Sequence, residues 1–281
     1  MNNFKSYERK LRASYSELDA KTEDGWAILE YKGKKINGYT DKDYIYHFFT
    51  KHIVDLQKKD LDIVDLGGGD GVLLDIIGKQ LDAKGIKATL LNIDNNSNSL
   101  LLCNKKFPHI KTKLQNVLSI TNRNQADVVI SRFSFQYFSK ANQIKLMRVI
   151  HNTLKSGGLL IAEWPYGNDE KIFHEVMTNI KSIISGEEVS DLKKSIYNFL
   201  PNHFKDLLKK SGYVGIKKEL GGVFMHSTKS WKDRFNINEN QSREIDLLYL
   251  KYFLKTKKLF FRQKNIIYLK SHVCFARAFK K

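Results

Sequence analysis

Four glycines in the stretch LDIVDLGGGDGVLLDII, residues 61–77, constrain this chain more than any other feature of its sequence. Glycine costs conformational entropy on folding, so a cluster of glycines between two apolar runs needs a compensating reason. The usual reason is a ligand that must lie almost against the main chain. The run before the glycines has the length of a strand, and the run after them carries apolar residues at helical spacing. The order is therefore strand, glycine turn, helix.

The spacing of the glycines distinguishes two kinds of ligand-binding turn. The dinucleotide-binding pattern G-x-G-x-x-G would need glycine at position 72, which is Val72. The pattern present is D-x-G-x-G-x-G, formed by Asp65, Gly67, Gly69 and Gly71. It resembles the first motif of the class I S-adenosylmethionine-dependent methyltransferases, in which an acidic residue precedes glycines at every second position. The resemblance implies that this turn binds S-adenosylmethionine, with S-adenosylhomocysteine as the product.

Later segments extend the resemblance to most of the chain. Strand candidates follow at KATLLNID, IKTKLQ, ADVVIS and GGLLIAEW, and the turn LKSGG before the last of these is similar to the family's turn. The resemblance covers residues 55–165 and 200–225, and a final strand falls at 265–279. It implies an α/β fold: a seven-stranded, Rossmann-like sheet with helices on both faces and an antiparallel last strand.

The ends of the second and third strands supply further cofactor candidates. The family has an acidic residue where Asp94 ends the second strand, and two carboxylate oxygens suit two ribose hydroxyls. Asp94 or Asn95 could also cap the following helix, and the two roles are compatible. Asn116 and Val117 follow the third strand. Family members usually carry Asp at the position of Asn116 to accept from the adenine amino group, and an asparagine carbonyl can still accept there.

Two further cofactor candidates are Ser131 and Tyr15. Ser131 ends the fourth strand. Tyr15 lies where many relatives bring an N-terminal tyrosine over the cofactor, with Tyr39 and Tyr44 as rivals and ordinary helix packing as the alternative for all three.

Catalytic candidates come from SRFSFQYF, residues 131–138, and from one histidine. The spacing Ser-x-x-x-x-Gln-aromatic resembles the branch of the family that methylates carboxylates, which implies acceptor contacts by Arg132, Gln136 and Tyr137. The Arg132 guanidinium would clamp a carboxylate in a bidentate manner. The alternative is that the phenylalanines pack in the core while the polar residues cap a helix. His226 ends the sixth predicted strand, in the stretch GGVFMHS. It is a candidate general base, with a structural role as its alternative.

We expect no metal and no disulfide framework. A metal-dependent catechol-type site would need aspartate where Ser131 ends the fourth strand, and the sequence shows no ligand cluster at usable spacing. Cys103 and Cys274 are the only cysteines, which indicates a reduced, cytoplasmic setting. No apolar run reaches membrane-spanning length, so no transmembrane segment is expected.

The expected organisation is an N-terminal helical cap followed by one methyltransferase domain. The cap spans residues 1–58, with a loop at 21–40 between its helices, and the domain spans 59–281. Residues 165–200 and 227–263 interrupt the domain as helical insertions, the second mostly one helix. In the family such additions cover the cofactor and shape the acceptor pocket.

The charge of the chain is compatible with several kinds of macromolecular partner. The formal net charge is +18, carried by 39 lysines and 9 arginines. On the helix predicted at 239–262, an apolar stripe adjoins a basic stripe at i, i+4, i+7 and i+11. The apolar stripe contains Leu247, Leu250, Leu254 and Phe261, and the basic stripe contains Lys251, Lys255, Lys258 and Arg262. This surface could face RNA, an acidic carrier protein, a lipid surface or only solvent.

Three functions therefore compete. The first is methyl transfer to oxygen or nitrogen of a small-molecule acceptor, including a carboxylate or a natural-product intermediate. The second is methylation of RNA or protein, which the basic charge favours. The third is a non-catalytic homologue that binds the cofactor. The sequence names neither the acceptor nor an oligomeric state.

Overall fold

The computed structural model describes residues 28–195 and 201–281, which divide into two compact units. The sheet unit contains residues 38–164, 201–219 and 274–281. Among the described residues, the helix-rich unit contains residues 28–37, 165–195 and 220–273. Tyr15 and the first 27 residues of the predicted cap lie outside the described residues.

The described residues form ten strands in one sheet, not the seven that were expected. The strands are β1 (Ile28–Tyr31), β2 (Lys34–Asn37), β3 (Asp60–Leu66), β4 (Lys87–Asp94), β5 (Lys111–Leu114), β6 (Ala126–Arg132), β7 (Leu154–Tyr166), β8 (Tyr213–His226), β9 (Phe260–Gln263) and β10 (Ile266–Lys280). In the sheet unit β7, β6, β3, β4 and β5 are adjacent in that order, and each neighbouring pair is parallel.

Helices flank this mixed α/β sheet. The helices are α1 (Lys42–Ile45), α2 (Lys51–Val54), α3 (Val72–Asp82), α4 (Ser97–Lys106), α5 (Lys140–Thr153), α6 (Glu170–Ser185), α7 (Val189–Ser195), α8 (Pro201–Lys210), α9 (Thr228–Phe235) and α10 (Glu239–Lys255). A π-helical turn at Tyr46–Thr50 joins α1 to α2, and short 3-10 turns occur at Val117–Ser119 and Phe135–Tyr137. None of the described helices is both long enough and apolar enough to cross a bilayer.

The three additional strands arise from two tight hairpins. The loop expected at 21–40 contains the antiparallel pair β1–β2, which turns at Lys32 and Gly33 with φ of 49° and 73°. Positive φ at both turn residues matches the twist of two-residue hairpins. Strand β9 pairs with β10 through a turn at Lys264, where φ is 53°. Because lysine rarely adopts positive φ, neither turn has a strong sequence signal.

The predicted helix at 239–262 ends earlier than expected. The segment 227–263 forms α9, α10 and β9, with a break at Asn236 in the left-handed conformation. Asn238 and Gln241 then form a reciprocal capping box that begins α10. Helix α10 stops at Lys255, so Phe261 and Arg262 lie on β9 instead of the predicted helical stripes.

Ion pairs join the amino ends of β3, β6 and β7 at one edge of the sheet. The buried Asp127 carboxylate accepts from Lys58 at 2.5 Å, from Lys155 at 2.8 Å and from the Asp62 amide at 3.0 Å. Burial raises the pKa of Asp127, but these donors outweigh burial and bring the pKa to about 2. The edge is therefore held by a carboxylate that stays ionised over most of the pH range.

We expect Asp127→Asn to lower the free energy of unfolding by roughly 1–2 kcal/mol at neutral pH, since both lysine partners are partly exposed. The folded pKa of Asp127 lies below its unfolded value. Its contribution is therefore complete above the unfolded pKa and disappears as the pH falls toward about 2. Urea unfolding at several pH values measures this difference. The exposed Asp60, replaced by asparagine, is the control, and an equal loss at pH 7 and pH 2 would contradict the assignment.

Candidate active site

The glycine turn joins β3 to α3, and its alternate glycines adopt positive φ. The angles are 77° at Gly67, 56° at Gly69 and 81° at Gly71. A Cβ atom at Gly67 would lie 2.5 Å from the hydroxyl oxygen of Ser134, and one at Gly71 would overlap the sulfur of Cys103. Gly67 and Gly71 are thus required by packing within the protein as well as by backbone conformation.

Gly69 differs from its neighbours because it borders open space. A Cβ atom built on Gly69 would meet no atom of the described residues within 4 Å, whereas one on Gly68 would lie 2.6 Å from Asn92 and 2.7 Å from Asp65. The Gly69 amide donates to Asp94 at 3.0 Å, and its carbonyl accepts from the Asn92 side chain at 2.8 Å. The turn is therefore fixed from the protein side while one face of Gly69 stays accessible to a ligand.

Asp65 is a buried carboxylate just before this turn. It is 1 % exposed, and neither side-chain oxygen accepts a hydrogen bond from the described residues. Burial raises the pKa of Asp65 to about 7, the charge of Arg132 opposes that rise, and the charge of Asp94 adds to it. An unsatisfied buried carboxylate is costly unless a donor reaches it. The site therefore suits a ligand that brings an ammonium or another hydrogen-bond donor.

The structure distinguishes the two roles considered for Asp94 at the end of β4, a contact with the ribose and a cap of the following helix. The two oxygens of Asp94 accept from the amides of Gly69 and Asn96, at 3.0 and 2.8 Å. The cap of α4 is Asn96, whose side chain accepts from the Asn98 amide, so the prediction that Asp94 or Asn95 caps this helix was wrong. Asn95 is exposed. Each oxygen of Asp94 keeps a lone pair that a ligand hydroxyl can use.

The candidates after β5 lie in a short turn. The Asn116 side chain is exposed and accepts from the Leu118 amide at 2.9 Å, which begins the 3-10 turn. Val117 is buried. The side-chain oxygen proposed for adenine thus already accepts one backbone hydrogen bond.

The segment after β6 is mostly buried. Phe133 holds a φ of 50°, which is unusual for a bulky residue, and its amide donates to the Glu163 carbonyl at 2.8 Å. The Gln136 side chain donates to the Phe133 carbonyl at 2.5 Å, and its own oxygen accepts nothing from the described residues. Ser131 is fully buried, and its hydroxyl has no hydrogen-bond partner among the described residues. Tyr137 is half-buried.

Arg132 is engaged within the protein, which argues against the predicted carboxylate clamp. Its Nε donates to Glu163 at 2.6 Å, and its terminal nitrogens donate to the carbonyls of Tyr39 and Gly38. The guanidinium carbon lies 4.9 Å from the ring centroid of Tyr39 and 5.4 Å from that of Phe133. With 9 % of the residue exposed, Arg132 anchors the segment before α1 to the end of β6.

Glu163 is the site residue that the sequence interpretation missed, and its partner Tyr44 was considered only as a residue over the cofactor. Glu163 lies opposite Arg132 on β7, is fully buried, and accepts from the Tyr44 hydroxyl at 3.4 Å. Burial raises its pKa to about 7, and the hydrogen bonds and charge of its partners limit the rise. A charged residue inside the apolar strand GGLLIAEW was the available signal, because such a residue is rarely buried without a partner.

Two candidates remain, His226 and Tyr15. His226 lies in the helix-rich unit, with its ring centroid 5.4 Å from that of Trp231 and 6.0 Å from that of Phe224. Tyr15 lies outside the described residues. The described residues include no group of three or more histidine, cysteine, aspartate or glutamate side chains placed to hold a metal ion.

Comparisons with known proteins relate this corner to one family of domains. Residues 63–158 match a family model described as a methyltransferase domain, and they contain the glycine turn, Asp94 and the β6 end. The carboxy-S-adenosyl-L-methionine synthase of Trichodesmium erythraeum is 26 % identical in an alignment 170 residues long that covers 55 % of this chain. The match covers 66 % of that relative, just under two thirds of its length.

Solved structures of methyltransferases share the fold. A crystal structure from Bacillus halodurans, provisionally assigned as a methyltransferase, has a TM-score of 0.64 at 12 % identity and covers 83 % of this chain and 98 % of its own. Phosphoethanolamine N-methyltransferase 2 of Haemonchus contortus has a TM-score of 0.50 at 16 % identity, covering 86 % of this chain and 58 % of its own. At these identities the likeness concerns the fold.

We expect Arg132→Met to lower the free energy of unfolding by about 3–5 kcal/mol, because it leaves Glu163 buried without its cation. Combining it with Glu163→Gln should recover more than half of that loss, since the carboxylate that Arg132 binds directly is then replaced by a neutral amide. Urea unfolding of the two variants measures the coupling. Arg148→Met, on the exposed face of α5, is the control and should change stability little. Additive losses in the double variant would show that Arg132 and Glu163 do not act as a pair.

Proposed function

We propose that this chain is a class I S-adenosylmethionine-dependent methyltransferase that transfers a methyl group to oxygen or nitrogen of a small-molecule acceptor. S-adenosylmethionine is the cofactor of this enzyme class, and the matched residues contain the glycine motif to which we assign its binding. The observation that carries the proposal is the glycine turn, where an accessible Gly69 lies between an unsatisfied Asp65 and a partly satisfied Asp94.

The residues of this corner fit the cofactor part by part. Asp65 offers an ammonium group two carboxylate oxygens that accept no hydrogen bond from the described residues, and Gly69 allows close approach to the main chain. Asp94 offers lone pairs to ribose hydroxyls, and Asn116 with Val117 forms the turn expected beside the adenine. All of these residues lie at the carboxyl ends of parallel strands, where α/β sheets bind ligands.

The chain's own contribution to methyl transfer is alignment and exclusion of water. When bound, S-adenosylmethionine supplies an electrophilic methyl group on a sulfonium. The protein must then hold the acceptor atom in line and keep water out, which can account for much of the rate acceleration. The mostly buried segment from Ser131 to Tyr137 is suited to this task because it carries aromatic side chains and lies next to the glycine turn through Ser134.

Two unsatisfied polar groups in this segment favour an acceptor that carries a hydrogen-bond donor. The hydroxyl of Ser131 and the side-chain oxygen of Gln136 have no partners among the described residues. Both can accept from a hydroxyl or an amine. The hypothesis of a carboxylate acceptor is weakened, because Arg132, the residue expected to bind it, already binds Glu163 and two carbonyls. The small-molecule class is also supported by the relative from Trichodesmium erythraeum, whose name describes a small-molecule product.

We expect Gly69→Ala to weaken binding of S-adenosylhomocysteine by at least about ten-fold, because the new methyl group enters the space assigned to the ligand. Gly85→Ala is a matched control. Gly85 also has positive φ, 72° against 56° at Gly69, and a Cβ there also meets nothing within 4 Å. Both variants should lose a similar amount of stability, about 1 kcal/mol, from backbone strain. Calorimetric titration with S-adenosylhomocysteine separates them, and equal affinities would contradict this placement of the cofactor.

The acceptor class is tested by following the methyl group itself. The purified protein is incubated with methyl-labelled S-adenosylmethionine and with separate small-molecule, RNA and protein fractions of a cell extract. We expect label in the small-molecule fraction and little label when Gly69→Ala replaces the natural protein. Mass spectrometry then identifies the methylated compound. Label confined to RNA or protein would overturn the proposed acceptor class, and no label in any fraction with intact cofactor binding would favour a non-catalytic homologue.

A further inference from the structure

The last 35 residues of the chain, 247–281, contain ten lysines and arginines and no aspartate or glutamate. The excess of positive charge is therefore concentrated and not spread evenly along the sequence. In the helix-rich unit this stretch forms the second half of α10, the loop after it, β9 and the first part of β10. Seven of the ten basic residues lie in this part of the chain, and the exposed Glu244 and Asp246 precede it on α10. An excess of positive charge attracts an anionic partner.

Three leucines on this part of α10 point outward. Leu247, Leu250 and Leu254 are 61 %, 46 % and 77 % exposed, and their spacing of three and four residues places them on one helical face. Single exposed leucines are ordinary, but a row of three on one helix is a contiguous apolar surface. We call these three residues the leucine row.

Contacts on the opposite face prevent α10 from turning the leucine row inward. Tyr249 is buried, accepts a hydrogen bond from the Trp231 indole at 2.6 Å, and lies 5.4 Å from Phe260 between ring centroids. At the start of the helix, the Gln241 side chain donates to the Ile183 carbonyl at 2.6 Å. Rotating α10 would expose this buried tyrosine and break both hydrogen bonds. The leucine row is thus held outward by the packing of the unit.

Exposed basic side chains border the leucine row. Lys251 and Lys255 lie one helical turn apart on α10, next to the leucine row in sequence. Their ammonium groups lie over the Tyr252 ring, 5.5 and 5.4 Å from its centroid. Further exposed basic residues follow in the loop, on β9 and in its turn, namely Lys257, Lys258, Arg262 and Lys264. The exposed Ile266 begins β10 beside them. Exposed apolar and basic side chains therefore follow one another along residues 247–266.

We propose that the leucine row and its basic border dock the protein on an anionic lipid surface. Leucines would enter the boundary between headgroups and acyl chains, while lysines extend toward the lipid phosphates. Protein interfaces favour tryptophan, tyrosine and arginine at their centres, whereas leucine and lysine dominate here. RNA is bound through phosphate contacts and base stacking on aromatic rings, which gives no role to a row of exposed leucines. Charge and apolarity together therefore favour a lipid bilayer.

The test is flotation of the full-length protein with vesicles of phosphatidylcholine containing about 30 % phosphatidylglycerol, a fraction that gives a strongly negative surface. We expect binding to these vesicles and little binding to pure phosphatidylcholine. Replacing Lys251, Lys255 and Lys258 together by glutamine should lower the partition coefficient about a hundred-fold. Serine at all three positions of the leucine row should lower it by more than about ten-fold.

Matched controls use residues of the same types elsewhere on the surface. Leu101, Leu114 and Leu220 are 66 %, 62 % and 66 % exposed, and serine at all three should leave vesicle binding unchanged. Glutamine at the exposed Lys105, Lys111 and Lys145 should weaken binding far less than the three changes on and after α10. Unfolding in urea verifies that every variant is folded. Because no step uses the cofactor or an acceptor, the outcome is independent of the proposed function.

Three results would overturn the proposal. The first is absence of binding to anionic vesicles, and the second is equal loss in the matched controls. The third is binding that depends on the lysines but is unchanged by the leucine-row substitutions. In that third case, salt-sensitive binding to polyuridylic acid would identify RNA as the partner, and binding to a purified acidic carrier protein would identify a protein.

Discussion

The buried ion pair between Arg132 and Glu163 is the interaction on which the site depends. Parallel pairing of β6 with β7 places the two residues opposite each other, and pairing of β6 with β3 brings Asp65 beside Ile130, two residues before Arg132. Arg132 is the cation whose charge lowers the pKa of both buried carboxylates. Without it, two acids would be buried at one edge of the sheet with no counter-charge, which is strongly unfavourable.

This pair also organises the backbone around the site. Arg132 donates to the carbonyls of Gly38 and Tyr39, so it fixes the approach to α1, while Glu163 accepts from Tyr44 on α1 itself. Aromatic packing continues from there, because the Phe48 ring stacks on Phe275 with centroids 4.1 Å apart. The start of the helical segment 42–54 is thus tied to the strand ends through polar contacts and held along its length by aromatic ones.

The sequence predicted the parallel strands and their glycine turn because these features are local. Alternation of apolar runs with helical periods locates β3, α3, β4 and β6 to within a residue or two. The sequence could not predict the two hairpins, since their turns put Lys32 and Lys264 at positive φ, which lysine does not signal. It also assigned Arg132 to a ligand, because the partner that engages Arg132 lies 31 residues away and only strand register brings the two together.

Gly69 and Gly71 show the same limit within the motif itself. The pattern D-x-G-x-G-x-G treats its glycines as equivalent, but one of them faces the sulfur of Cys103 and another faces open space. Gly68, which the pattern leaves unspecified, has no room for a side chain because Asp65 and Asn92 lie against it. Distinguishing a packing glycine from a ligand-facing one requires the neighbours from α4, β4 and the segment after β6, none of which is local in sequence.

Two aspartates on the sheet show why ligand binding belongs at one edge and not the other. Asp127 begins β6 and Asp65 ends the neighbouring β3, and burial raises the pKa of both. At the amino edge, two lysines and a backbone amide donate to Asp127. These donors outweigh burial and lower its pKa to about 2. At the carboxyl edge, Asp65 receives no hydrogen bond from the described residues, and its pKa rises to about 7. The fold therefore satisfies the buried carboxylate at the amino edge completely. At the carboxyl edge it provides no hydrogen-bond donor from the described residues. The second edge is left to a ligand that supplies the missing donor.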